Sequence, residues 1–317
     1  MSLLIAFASY RHRGDCGDIY FYRHDGSEKG ELLGPLPTES PRRRSDFRPV
    51  LSGDGRLCAF ACQYRETVPG ELRLWDRKEQ KLIPLPDRNT TGADAQPTLS
   101  ADGRWLAFAG WKRPDSVGGH DLFLYDLEQK TLVSLPGLNT EHDEQMPALS
   151  GDGRWLAFTS NRPAVTDGEN TATRILLHDR TAQKLVPLPG LHAPGYRDTE
   201  PSLSGDGRWL AFASDRPGPD DSHGAGDIYL YDRVAQKLVP LPGLNSAGHD
   251  CQPALSPGGR FIVFVSERLD GDGQRDLYLY DRRRSRLLPT PGLNHPSEEF
   301  EPCLVALDPE LDRLDEK

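Results

Sequence analysis

The chain writes one decapeptide three times: LSADGRWLAF at 99–108, LSGDGRWLAF at 149–158 and the same string again at 203–212. A catalytic motif is normally written once. A motif copied at a fixed interval is architecture, because each copy builds one unit that stacks on the next. The proline before each Leu-Ser marks the unit, at Pro49, Pro97, Pro147, Pro201 and Pro253, with a degenerate sixth copy at Pro302 in PCLVALDP. The spacing is about fifty residues, which for β-rich units indicates a propeller with one blade per repeat.

Each unit reads as four strands. In the third, PALS is followed by a tight Asp-Gly turn, where positive φ is tolerated, then by RWLAFTS, RILLHD and KLVPLP. Second strands of this type occur six times: LLIAFAS at 3–9, LCAFAC at 57–62, WLAFAG at 105–110, WLAFTS at 155–160, WLAFAS at 209–214 and FIVFVS at 261–266. The first lacks a preceding P-x-L strand, and the last P-x-L strand lacks a second strand after it. Each end supplies what the other lacks. The expected fold is therefore all-β: a six-bladed β-propeller with four-stranded antiparallel blades. Its ring is closed by a C-terminal strand at 302–307 pairing with the N-terminal strand at 3–9, which removes an exposed sheet edge. Residues 1–308 form the single domain and 309–317 a tail.

The units PALSGDGRWLAFTSNRP and DIYLYDR resemble the repeats of TolB-like β-propellers, the WD-like repeats centred on P-x-[WL]-S-x-D-G. The resemblance runs from residue 3 to about 308, with five of six units matching closely. It implies a protein-binding platform. It also implies an exported setting for the namesake, which carries a signal peptide and an N-terminal α/β domain that are not read in this chain. Related propellers include peptidases and lyases, so the fold leaves function open.

The totals narrow the partners. A net charge of −10 argues against nucleic acid, which needs a basic face, and suits cations or basic protein surfaces. The basic runs Arg42–Arg44 and Arg282–Arg284 read as solvated loops. The cysteines, Cys16, Cys58, Cys62, Cys251 and Cys303, are odd in number and form no CxxC pair, which favours a reducing compartment over a disulfide framework. No apolar run reaches the ~18 residues of a membrane span. The N-terminus MSLLIAFASY has no basic start, so it reads as a core strand rather than a leader. The chain as given is expected to be cytoplasmic and monomeric, or periplasmic if a leader has been removed.

Strand parity puts the long loops, between strands two and three and between blades, on one face, where binding surfaces concentrate. Three residues before each marker proline stand Asp46, Asp94, Glu144, Asp198, Asp250 and Glu299. All are acidic and all precede an innermost strand. Their pattern suits a Ca²⁺ site built from hard oxygen ligands or a dock for a basic peptide. Equally, each carboxylate could cap backbone N–H groups or pair with an arginine to fix its loop. A second column, Arg11, Arg65, Arg113, Arg162, Arg216 and Arg268, follows the second strands. A third, Asp18, Glu71, Asp121, Asp227 and Asp276, with Arg174 as the exception, opens the third strands. These two columns are expected to pair with each other within each blade. The loops DGDGQRD (Asp270, Asp272, Asp276) and DDSHGAGD (Asp220, Asp221, Asp227) partly resemble Ca²⁺ loops but lack the bidentate Glu of an EF-hand.

For an enzyme, His142, His192, His249 and His295 lie on the long-loop face, and His142, His249 and His295 are the alternative metal ligands. Their offsets from the marker proline differ. No G-x-S-x-G elbow occurs. The sequence therefore favours a non-enzymatic platform for a protein or peptide partner, with Ca²⁺ as a candidate ion. The alternative is a metal-assisted lyase or lactonase-type enzyme at the channel mouth. A structural module with surface-to-surface contacts alone is a third reading.

Overall fold

The structure is a computed structural model that describes all residues except 1, 13–15, 38–43, 65–66, 86–91, 164–172, 218–225, 270, 272–273 and 313–317. The described residues form twenty-four strands. Blade 1 holds β1 (Leu3–Ser9), β2 (Asp18–His24) and β3 (Gly30–Pro35). Blade 2 holds β4 (Arg44–Leu51), β5 (Leu57–Tyr64), β6 (Thr67–Asp76) and β7 (Lys81–Ile83). Blade 3 holds β8 (Ala93–Leu99), β9 (Trp105–Trp111), β10 (His120–Asp126) and β11 (Thr131–Val133). Blade 4 holds β12 (Glu144–Leu149), β13 (Trp155–Ser160), β14 (Arg174–Asp179) and β15 (Lys184–Val186). Blade 5 holds β16 (Asp198–Leu203), β17 (Trp209–Ser214), β18 (Asp227–Asp232) and β19 (Lys237–Val239). Blade 6 holds β20 (Asp250–Leu255), β21 (Phe261–Ser266), β22 (Asp276–Asp281) and β23 (Arg286–Leu288). The last strand, β24 (Glu299–Ala306), is the innermost strand of blade 1.

The ring closes as the repeat count requires. Antiparallel β24 pairs with β1, with Leu3 opposite Ala306, Leu4 opposite Val305 and Ile5 opposite Leu304. The strand starts three residues before the expected 302 and stops one before the expected 307, because the stretch ahead of the marker proline also joins the ladder. The second strands are buried along nearly their whole length. Each is covered on both faces by neighbouring blades, so it carries a continuous apolar run instead of an alternating pattern.

The repeated decapeptide explains how blades dock. Trp155 of blade 4 is sandwiched between its own Arg154, 4.5 Å from the ring, and Arg233 of blade 5, 3.7 Å away. Trp105 and Trp209 are held in the same way, by Arg104 and Arg180, and by Arg208 and Arg282. The crossing arginines also bond the turn glycine's carbonyl of their own blade: Arg180 to Gly153, Arg233 to Gly207 and Arg282 to Gly259. Gly153 lies against Trp105 of the blade before it, where a Cβ would stand 2.5 Å from the indole Cδ1, and its φ is +67°. Desolvation holds the Arg282 guanidinium down at about 10. Arg282 is therefore a docking residue and not the solvated loop residue that its basic run suggests. Arg44 departs from that expectation too: it is buried, with its guanidinium 2.6 Å from Asp46.

At the short-turn end, backbone bonds run from blade to blade: Gly53 N–H to Ala101 O, Ala101 to Gly151, Gly151 to Gly205, and Gly205 to Pro257. Beyond β24, Pro309–Asp312 form a 3₁₀ turn. No helix among the described residues is long and apolar enough to cross a membrane.

Candidate binding site at the channel mouth

The acidic column sits where strand parity places it, at the long-loop start of each innermost strand, but it faces protein. Asp46, Asp94, Glu144, Asp198, Asp250 and Glu299 are all buried. Each is in an ion pair: with Arg44, Arg113, Arg162, Arg216, Arg268 and Arg11 respectively. The pattern is the same in four blades. Arg162 donates to Glu144, to the Leu138 carbonyl of the incoming loop and to Ser160 Oγ, and it lies over Phe158. Arg11, Arg216 and Arg268 repeat these contacts with Leu293, Leu191 and Leu244. The remaining carboxylate oxygen caps the same loop, as where Glu144 accepts from Thr140 N at 2.8 Å and Asp250 from Ser246 N. Burial pushes the Glu299 carboxyl up to about 7, against the pull of Arg11 and Ser9, and raises Asp46 against the pull of Arg44.

The arginine column thus pairs with the first acidic column, not with the third-strand acids as the spacing suggests. The reason is reach. The guanidinium turns inward past its own serine to the innermost strand. On the third strands, Asp121 instead accepts from the N–H groups of Val117 and Gly118 and closes its own loop. Arg65 lies outside the described residues. Among the described residues of blade 2, Asp46 pairs with Arg44, two positions before it.

The histidines do not converge. His192 Nδ1 lies 2.9 Å from Asp198 Oδ2. His295 Nδ1 contacts Ser297 Oγ. His142 and His249 each lie 3.9 Å from a neighbouring glutamate, Glu141 and Glu267. Among the described residues, no group of three or more His, Cys, Asp or Glu side chains is placed to hold a metal ion. Of the loop acids, Asp220, Asp221, Asp270 and Asp272 lie outside the described residues.

The side chains that line the channel are one position before the marker prolines: Arg48, Gln96, Met146, Glu200, Gln252 and Glu301. They border a cavity of about 140 Å³. All six have left-handed φ, between +51° and +55°. In all six innermost strands the register against the second strand shifts at this point. Such a bulge re-aims a side chain, here toward the axis. Four side-chain to backbone bonds join the ring. Glu301 accepts from Arg48 N, Gln252 from Glu301 N, Glu200 from Gln252 N, and Gln96 from Met146 N, at 2.7–2.8 Å. Arg48 Nε also pairs with Glu301 at 2.9 Å, which leaves Glu200 as the carboxylate without a ring arginine. Below the prolines a second cavity, of about 200 Å³, has apolar and small residues in its wall. Sequence reasoning does not single out these six positions, because their identities differ from blade to blade. The signal was the fixed place before proline, not a shared residue type.

This arrangement is that of a six-bladed β-propeller with an open polar channel mouth. No protein-family model matches the chain, and no curated protein matches its sequence. Solved structures share its fold. TolB from Acinetobacter baumannii superposes with a TM-score of 0.64 at 18% identity, covering 95% of this chain and 66% of that one. A putative TolB from Agrobacterium tumefaciens gives 0.55 at 20%, covering 88% and 84%. An oligogalacturonate lyase in complex with manganese gives 0.57 at 16%, covering 90% and 77%. The chain therefore has the TolB-type propeller fold, shared by proteins of differing function.

Proposed function

We propose that the protein is a non-enzymatic binding platform that takes a segment of a protein partner at the long-loop mouth of the channel. The observation that supports this reading is the ring before the prolines. Six side chains are turned onto one axis by a bulge in each blade, and they differ in chemistry where the surrounding scaffold repeats. A net charge of −10 and Glu200 in the ring favour a basic segment. The outer carboxylate column serves in this reading to hold the loops around the mouth, since each of its six acids is already paired with an arginine.

Site-specific photocross-linking tests it. A cross-linker at Gln96, inside the mouth, is expected to trap one discrete partner, and Glu200→Arg to abolish the product. A cross-linker at exposed Leu185 on the outer strand should not trap it. Equal products from both positions would defeat the reading. A thermal melt with chelator, Ca²⁺, Mn²⁺ and Zn²⁺ separates the other two. A Ca²⁺-dependent rise lost in Asp198→Asn would assign the acidic column to a cation. A Mn²⁺ or Zn²⁺ effect dependent on His142 or His249 would favour a metal-assisted lyase.

A further inference from the structure

In blades 2 to 5 the turn after the innermost strand reads Ser-x-Asp-Gly-Arg, and the Asp performs two bonds. It accepts the Ser hydroxyl and the Arg backbone N–H: Asp54 from Ser52 and Arg56, Asp102 from Ser100 and Arg104, Asp152 from Ser150 and Arg154, Asp206 from Ser204 and Arg208. Blade 6 reads Ser256-Pro257-Gly258-Gly259-Arg260, with glycine where the others have Asp. Its turn keeps the same shape even so. Gly259 has φ +73°, against +67° to +72° at the corresponding glycines.

The missing carboxylate comes from elsewhere in the chain. Asp312 Oδ1 accepts from Ser256 Oγ and from Arg260 N at 3.3 Å, the same two donors, and Oδ2 accepts from Gly258 N. Asp312 is 2% exposed, and Ser256 is fully buried. A Cβ at position 258 would collide with the Asp312 carbonyl oxygen, so the residue that lacks its own carboxylate is also the one that makes room for the donated one. Pro257 has no N–H, so the blade-to-blade belt of backbone bonds cannot continue past it to blade 1. The 3₁₀ turn reaches blade 6 at this interruption, directly after β24 of blade 1.

We infer that the short-turn corner of blade 6 is a receptor for a carboxylate-bearing segment, occupied by the chain's own Pro309–Asp312, and that this strap closes the ring a second time. Asp312 acts in place of the blade's absent aspartate.

The test is a cycle of Asp312→Ala and Gly258→Asp, read by thermal melting and by amide exchange at Gly258 and Arg260. In the natural background Asp312→Ala is expected to lower the midpoint and speed exchange of these two amides about tenfold or more. In the Gly258→Asp background, where the turn regains its own carboxylate, Asp312→Ala is expected to change neither. Equal losses in both backgrounds would overturn the inference, since Asp312 would then stabilise by some other route. Unchanged exchange in the single Asp312→Ala variant would overturn it as well. If Gly258→Asp fails to fold, Asp312→Asn replaces it. That variant keeps one acceptor oxygen and is expected to protect Arg260 more than Asp312→Ala does. Equal exchange in the two would refute the stand-in role.

Discussion

His178 marks the one third-strand position where blade 4 departs from its neighbours' tyrosine. Tyr22, Tyr231 and Tyr280 each donate to a proline carbonyl of the preceding blade, at Pro291, Pro189 and Pro242. The shorter imidazole is 3% exposed, and neither ring nitrogen has a partner among the described residues. His178→Tyr is expected to place a hydroxyl toward Pro136 O and raise the melting midpoint by about 2 °C, for a bond worth about 1 kcal/mol. Burial also lowers the basicity of His178 and of His24, whose Nδ1 accepts from Gly26 N. Both rings stay neutral in the folded protein below the 6.5 at which the unfolded chain protonates them. Their contribution is therefore complete above pH 6.5 and declines as the pH falls below it. Melts at pH 7.5 and 5.5 should show a smaller drop for His178→Tyr than for the natural protein. The buried pairs carry a larger stake. Glu144→Ala strands Arg162 beside Phe158, and the urea midpoint should report a loss of about 3–5 kcal/mol.

At the scale of the element, the short-turn hairpin is the docking unit. Gly153→Ala would force a Cβ against Trp105 at a left-handed φ, and a loss of about 1–3 kcal/mol in chemical denaturation is expected. The same face sets the acid limb. Arg56 beside Asp76 and Arg154 beside Asp179 hold these carboxyls at about 2, against 3.8 for the free group. Their stabilisation is full above pH 4 and is lost as the pH falls from about 4 to 2. A pH titration of the melting midpoint should locate a drop there, and Asp76→Asn should shrink it. Strand number, the Asp-Gly turns and ring closure were all legible in the sequence, because local period and turn chemistry are written in consecutive residues. The partner of each arginine was not. Whether Arg162 turns to the first strand or the third depends on which strand lies inward, and spacing alone carries no such information. The Asp312 contact was less legible still: its signal is Gly258 standing where four other blades have Asp, and its answer lies more than fifty residues away in the tail.

On the scale of the whole molecule, β24 joins the two ends of the chain, and Leu307 N–H reaches Ser2 O at 2.9 Å. A chain stopped at residue 298 would leave β1 with an open edge. It is expected to lose the single cooperative melt and to self-associate on size-exclusion chromatography. A circular permutant that links the ends and opens at the Asp152–Gly153 turn keeps every blade four-stranded and should elute as the natural chain does. The channel mouth, by contrast, does not share the sixfold repeat of the scaffold around it. Its bonds run head to tail from Arg48 through Glu301 and Gln252 to Glu200, and separately from Met146 to Gln96. The chain of acceptors halts wherever the next member is Met146 or Arg48, whose side chains offer no oxygen. A ligand lying on the axis therefore meets two unequal arcs, and of six rotational settings only one matches both. The scaffold counts to six, but the mouth has a north.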